Sequence, residues 1–392
     1  MPIAIPVPAA RRTRLTTFMR DTVIVLAVSL GLMLVLEVAL RLFRPQELAG
    51  TAVQGAHFSD FDTLLGIRYI PGAIWRFTHP EYTVVYAING HGFRDKAERP
   101  ISKPAGTVRV LLLGDSFTFG QGVNADETWA AVAERELGSQ GHAFDLVNAA
   151  MQGMDTHSEL ILLRRLVLHY DVDAVVVGFL INDLYTNRPY APTVPPGRAA
   201  AEDGQLQDRP PSVFRRIGDF QSLHLVTLAR RLVSSVDAAY IALYLALPER
   251  RDYLRVPLSD MARQQLQITE TLVRQMAAYC DSLGKPLVVL SIPQQFQVLY
   301  AKAGRANQSV DIDYYDRHFT RVAKRSGFTW VASQPELVAA ARGSRELFHR
   351  IDGHLTADGN AVVAGVFVRR VVPAILAKLG SETVAPEQLR SP

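Results

Sequence analysis

Four groups that acyl-transfer chemistry needs stand at separate points of this chain. Ser116 ends Gly114-Asp115-Ser116, directly after the apolar run Val108-Arg-Val-Leu-Leu-Leu113. A serine hydroxyl attacks a carbonyl carbon once a base has taken its proton. The candidate base is His354 of Asp352-Gly353-His354, since an Asp two residues away in a loop can meet the imidazole and hold one tautomer. The oxyanion formed by attack needs preorganised donors about 2.7–3.1 Å away. Three candidates offer them: the Ser116 backbone N–H, Gly153, which lacks a Cβ and brings a bare N–H close, and the side-chain amide of Asn182. Taken singly, each has a plainer reading. Gly-Asp-Ser occurs by chance in many proteins, Gly153 serves as a turn glycine, Asn182-Asp183 as a turn or helix cap, and Asp352–His354 as a capped loop with an incidental histidine. His349 is the nearest rival base, but it sits in the Arg- and Glu-rich approach rather than beside a carboxylate.

The elements around these residues explain why they belong together. Val108–Leu113 reads as a buried strand, short, aliphatic and bounded by glycine. Phe144–Asn148 is a second strand and Asp173–Gly178 a third, leaving through Phe179-Leu-Ile-Asn182. Pro286–Ile292 and Phe328–Val331 are a fourth and a fifth. Helical patterns lie between them: one through Leu137 closed by Gly141, one through Val167 with Asp155, Thr156 and Ser158 as caps, and a long amphipathic one over Asp260–Leu283 closed by Gly284. Strands alternating with helices predict a three-layer α/β/α fold with a doubly wound parallel sheet of about five strands. The exits bearing Ser116, Gly153 and Asn182 then share one sheet edge, where such sheets open their binding crevice. Thr356 is expected to cap an apolar helix from Ala361, fixing the loop that carries His354.

In this order the motifs resemble the SGNH (GDSL-type) hydrolases over roughly residues 107–190 and 285–375. The matching blocks are Gly114-Asp-Ser-Phe117, the glycine of Asn148-Ala-Ala-Met-Gln-Gly153, Asn182-Asp183, and Asp352-Gly-His354. The resemblance implies Ser116 as nucleophile, His354 as base, Asp352 as orienting acid, and Ser116 N–H, Gly153 N–H and Asn182 as the oxyanion hole. Two positions depart from the family pattern. Phe117 stands where Leu is familiar, and one residue rather than two separates Asp352 from His354. Thr118 at the final position rules out the G-x-S-x-G elbow of α/β-hydrolases.

The N-terminus is Pro- and Ala-rich, then basic, with Arg11, Arg12, Arg14 and Arg20. From Thr22 to Leu40 Glu37 is the single charge. That length roughly spans a hydrocarbon core about 30 Å thick, and Glu37 and Arg41 can pair on one helix face. An uncleaved anchor is expected rather than a cleaved signal peptide, because the apolar segment is long and no small-x-small site follows. The arginines place the N-terminus in the cytoplasm. Leu36–Phe43 and Asn89–Arg94 further resemble membrane-anchored bacterial members of the same group. The organisation expected is a basic cytoplasmic segment (1–21), a transmembrane anchor (22–43), a small β-rich accessory segment (44–106), a hydrolase domain (107–380) with a helical insertion (190–283), and a disordered tail (381–392). The accessory segment, with the turn signal Asn89-Gly-His-Gly92, reads as a packing or spacing module, and its His79 and His91 as surface loop histidines. In the insertion, Pro189–Pro211 reads as a flexible loop and His224–Leu247 as an apolar helix serving as core, lid or membrane contact.

Other classes are excluded or set aside. The net charge of +4 is modest and its Lys and Arg are scattered, so nucleic acid has no footprint. The sole cysteine, Cys280, excludes an internal disulfide and a Cys-based zinc site. No cofactor or metal is expected. The expected activity is that of a carboxylic ester hydrolase, single-pass in the cytoplasmic membrane with its catalytic domain outside. It would act on O-acetyl or other acyl esters of carbohydrate or envelope glycan. The alternatives are an O-acetyltransferase acting on an extracytoplasmic polysaccharide, a lipid esterase or lysophospholipase, and a non-enzymatic scaffold.

Overall fold

Read from the N-terminus, a computed structural model of the chain opens with helix α1 (Ala9–Phe43). The structure describes residues 9–46, 52–55, 58–95, 98–187, 223–247, 251–304, 309–343 and 345–380. The expected flexible loop at 189–211 and the tail at 381–392 lie outside these. Among the described residues one helix, Thr17–Phe43, is long and apolar enough to cross a membrane. Glu37 and Arg41 pair at 2.8 Å on its last two turns.

Five short strands follow: β1 (Ala52–Gly55), β2 (Ser59–Asp60), β3 (Arg68–Tyr69), β4 (Ile74–His79) and β5 (Tyr82–Ala87). They form an antiparallel sheet in the order β1-β4-β5 and a separate β2-β3 pair. Aromatic side chains of this segment (Tyr69 and Tyr86) pack onto Phe119 of the core, with Trp75 against both of them.

The core begins with β6 (Val108–Gly114), the single turn α2 (Ser116–Phe119), α3 (Trp129–Ser139) and β7 (Phe144–Asn148). It continues with α4 (Thr156–Leu166), β8 (Ala174–Leu180) and the short α5 (Asp183–Thr186). Then come α6 (His224–Ser234), α7 (Asp237–Ala246), α8 (Asp260–Ser282), β9 (Leu287–Ile292), α9 (Gln295–Lys302) and α10 (Tyr314–Ser326). The chain ends with β10 (Thr329–Ala332), α11 (Gln334–Arg342), α12 (Ala357–Val366), a π-helical turn over Phe367–Val371 and α13 (Val372–Leu379). The five core strands are parallel, in the order β10-β9-β8-β6-β7. Counted within the core, that is a doubly wound 2-1-3-4-5 sheet whose order reverses between β6 and β8, the place where such sheets open a crevice. Ser116 follows the first of these strands and Asn182 the second.

Strand alternation divides the core in two. Leu111, Leu113, Val147, Val175 and Val177 face one buried cluster, while Val110, Leu112, Leu146 and Val176 face the other. All seven residues of β8 are buried, so it is the central strand. Burying each such aliphatic side chain stabilises the fold by about 1.5–3 kcal/mol. The caps behave as expected: Asp155 accepts from Ser158 N–H at 2.9 Å, and Thr356 from Gly359 N–H at 3.2 Å.

Two readings of the sequence are corrected. His224–Leu247 is not one helix but two, broken at Ser235-Val236, with Val236 extended. Ser, β-branched Val and Asp are poor interior residues, whereas Asp237 is favoured in a first turn. There it bonds Arg350 at 2.7 Å and Lys302 at 3.1 Å. His79 is not a surface loop histidine, whereas His91 does sit in a turn, part-exposed. His79 is buried at the end of β4 on the inward face with Trp75 and Phe77, and half-buried His91 meets the ring of Tyr170 edge-on.

Candidate active site

Local geometry aims Ser116 at the crevice. Gly114 has φ +150, and a Cβ there would lie 2.4 Å from Thr118 Oγ1. A Cβ on Gly178 would lie 2.0 Å from the same atom. Only two facing glycines leave room for Thr118 between β6 and β8, and so for the tight turn that carries the serine. Asp115 caps this turn, accepting from Phe117 N–H at 2.9 Å. Ser116 is the first residue of α2, where a helical N–H has no intrahelical acceptor.

Three side chains from two distant parts of the chain then meet. Ser116 Oγ lies 2.8 Å from His354 Nε2, and His354 Nδ1 lies 2.6 Å from Asp352 Oδ2. The single-residue spacing is accommodated by Gly353, whose φ of +84 folds the loop so that the carboxylate reaches back to the ring. Burial alone would raise the Asp352 carboxyl. The hydrogen bond and charge of His354, with smaller contributions from His79 and Tyr82, outweigh it and hold the group below its ordinary range. The rival His349 instead lies 3.1 Å from Gly122 O through its Nε2, and burial pushes its pKa down.

Asn182 joins this group through Asp115. Its Nδ2 donates to the buried Asp115 Oδ2 at 2.9 Å. An amide nitrogen carries two protons, which leaves one for the cleft that Asn182 lines beside Ser116, His354 and Asp352. Gly153 stands apart. It is an exposed turn residue with φ +74 that does not line the cleft, and its N–H has no backbone acceptor among the described residues. The cleft has a volume of about 1060 Å³, and four tyrosines, Tyr185, Tyr240, Tyr244 and Tyr253, contribute to its walls.

Sequence reading missed the groups that brace the site from the β-rich segment. Tyr82 O–H donates to Asp352 Oδ2 at 3.0 Å, and Glu81 accepts from the N–H groups of Ile351 and Asp352, both at 2.9 Å. His79 stacks on Tyr82, and Tyr82 packs against His349. Arg94, 3% exposed, donates to the carbonyls of Phe119, Gly120 and Val123, gathering the loop after Ser116, and lies over the rings of Tyr86 and Phe119. Burial lowers its pKa to about 10. The segment therefore does more than space or pack. The signal for His79 was present in the alternation of Trp75, Phe77 and His79; Arg94 was marked only by the resemblance of Asn89–Arg94, and Glu81 carried none.

Beneath the site, Glu159 of α4 and Asp183 of α5 are fully buried carboxyls. Thr156 donates to Asp183 at 3.0 Å, and Glu159 has no partner among the described residues. Burial, reinforced by neighbouring carboxylates, raises both well above the ordinary range. Among the described residues no group of His, Cys, Asp and Glu is arranged to hold a metal ion.

The family model for the GDSL-like lipase/acylhydrolase family matches residues 112–362, well over half of the chain, and the protein belongs to that family. It is an ester-hydrolysing enzyme. Among solved structures, TesA is similar at 14% identity over 68% of this chain and 99% of its own, with a TM-score of 0.39. The acetyl xylan esterase AlAXEase shares 13% identity over 66% and 98%, with a TM-score of 0.40. The psychrotrophic esterase EstA from Pseudoalteromonas sp. shares 11% over 70% and 99%, with a TM-score of 0.38. A search of curated proteins finds no match.

Proposed function

We propose that the protein is a membrane-anchored serine esterase that removes acyl groups, O-acetyl above all, from envelope glycans outside the cytoplasm. The observation that carries the reading is the continuous chain from Ser116 Oγ through His354 to Asp352 at the head of the cleft. His354 takes the Ser116 proton as Oγ attacks the acyl carbon, and Asp352 holds the ring and stabilises the imidazolium. The oxyanion is met by Ser116 N–H and Asn182 Nδ2, each contributing on the order of 3 kcal/mol, and Gly153 N–H would join them only by a movement of its exposed turn toward the cleft. His354 returns the proton to the leaving alcohol. Water, deprotonated by the same ring, then releases the acid and restores Ser116. Tyrosine rings and the amides of Gln294 and Gln295 in the walls suit a sugar, which presents apolar faces and a rim of hydroxyls. Helix α1 supports anchoring through its length and its exposed apolar surface.

The test compares the full chain in detergent with Ser116→Ala on p-nitrophenyl esters of rising acyl length and on acetylated glycan. Loss of Ser116 should lower kcat by on the order of 10^4-fold or more. Equal rates for the two proteins would remove Ser116 from the mechanism. A preference for long acyl chains, or acetyl transfer to added sugar in place of acetate release, would move the reading to lipid esters or to an acyltransferase.

A further inference from the structure

Helix α7 carries a wall of the cleft and, beside it, an exposed apolar edge. In the wall, Tyr240 and Tyr244 line the cleft that holds Ser116. Along the edge, Leu243 is 52% exposed and Leu247, just past the helix, 40%. Val236 before it is 53% exposed and Leu232 of α6 is 62%. Ala229, Ala238, Ala242 and Ala246 are exposed on the same two helices. No charged residue occurs from Ala238 to Leu247. An apolar surface of this kind in a soluble setting calls for a partner.

The anchor indicates what covers it. Glu37 of α1 accepts from His224 N–H at 3.0 Å and Leu225 N–H at 2.8 Å, the orphan donors at the start of α6. Gln46 N–H donates to His224 Nδ1 at 2.7 Å, and Arg231 donates to Gln46 Oε1 at 3.1 Å. From Thr17 to Glu37 a helix rises about 30 Å, the thickness of a hydrocarbon core. The start of α6 is therefore pinned at the depth where the anchor leaves that core. Arg44 and Arg230 are exposed beside it, and Arg41 half-exposed, as cations placed for phosphate headgroups. Short helices with one apolar face and flanking arginines lie in the interfacial plane of a bilayer.

We infer that the outer face of α6 and α7 rests in the bilayer surface that α1 crosses, so that the Ser116 cleft opens at the membrane and takes acyl esters presented there. This rests on reading α1 as an anchor, and it narrows the substrate class from envelope glycan esters at large to those held at a lipid surface.

The experiment places a nitrobenzoxadiazole label on single cysteines in the full chain, reconstituted in phosphatidylcholine–phosphatidylglycerol nanodiscs with or without doxyl lipid. Native Cys280 is fully buried, its thiol pushed up to about 12, so it does not compete for label. Leu30→Cys reports the anchor, Leu243→Cys and Leu247→Cys the proposed face, and exposed Lys324→Cys a site on the core. The label at 243 and 247 should be quenched about as strongly as at 30, and that at 324 left bright. Quenching at 30 alone overturns the inference and leaves the anchor standing; quenching at none of the positions overturns both. In a second arm, L243E/L247E should lower hydrolysis of a vesicle-borne ester at least about tenfold while leaving p-nitrophenyl acetate unchanged. An equal response to both esters overturns the inference, while fluorophosphonate labelling of Ser116 reports separately on the esterase reading.

Discussion

The parallel core and the β-rich segment before it both serve one site, by different means. The core supplies the reacting groups: Ser116 and Asn182 from strand exits, Asp352 and His354 from the loop before α12. The segment places Tyr82 and Glu81 on the Asp352 loop and Arg94 on the loop after Ser116, while its distinct antiparallel sheet stands outside the core sheet. Ser116 and Asn182 are fixed by strand ends only a few residues away, and Asp352 and His354 by the loop that leads directly into α12. The segment's groups act across 25 to 271 positions of sequence. Chemistry is therefore encoded locally, and its support over long range.

The largest effects should fall on the core. His354→Ala should lower kcat on p-nitrophenyl acetate by on the order of 10^4-fold or more, and Asp352→Asn by on the order of 10^4-fold, because the ring then loses its oriented tautomer. His349→Gln should change it little, its amide replacing the bond to Gly122 O. If His349→Gln proves the more damaging, the base has been misassigned. Next comes the segment's heaviest contribution. Arg94→Met leaves the carbonyls of Phe119 and Val123 without that donor and Gly120 O with only the 3.4 Å bond from Val123 N–H, and should cost about 3 kcal/mol in denaturant unfolding, with kcat falling as the Ser116 loop relaxes. A stable, fully active Arg94→Met would reduce the segment to packing.

Tyr82→Phe removes one bond to the Asp352 carboxylate, worth about 1.5–3 kcal/mol, and should lower kcat about tenfold or somewhat more with KM unchanged. Should KM move and kcat hold, Tyr82 meets substrate instead.

The smallest test is pH, where the junction of the two regions and the buried carboxyls beneath the site should fail in opposite directions. His79 and His349, at the junction, are held neutral, with pKa values below the ordinary 6.5 because burial opposes their charge. Their unfolded forms bind the proton more tightly, so they destabilise the fold as pH falls below about 6.5. Asp352, also depressed, adds to that loss only deeper into acid. Glu159 and Asp183 are raised, so the stability they contribute is complete below their ordinary range and is lost as pH climbs through the folded values. Glu159→Gln should flatten the alkaline limb of the unfolding profile, and His349→Gln the acid limb. An alkaline limb unchanged in Glu159→Gln would mean that Glu159 is already ionised in the fold.

This division also explains how far the chain could be read without coordinates. The five parallel strands and the exits carrying Ser116 and Asn182 were legible because aliphatic runs ending in glycine or asparagine are strong local signals. The pairing of Asp352 with His354 was legible from adjacency, although its feasibility turned on the backbone of Gly353. Arg94 looked like one more residue after a turn. Nothing near it in sequence reveals three carbonyl partners 25 to 29 positions away. The break at Ser235-Val236 was masked by apolar residues on both sides, whose periodicity reads through a two-residue interruption.

Arg94 also bears on how the enzyme is born. The segment that carries it leaves the ribosome before the loop it gathers, so the cation precedes its three carbonyls and waits as a template. A core that folded without this segment would have its sheet and its triad residues, yet the backbone beyond the nucleophile would lack the clamp that sets it. Both parts must therefore dock before the backbone beyond the nucleophile is held by its clamp.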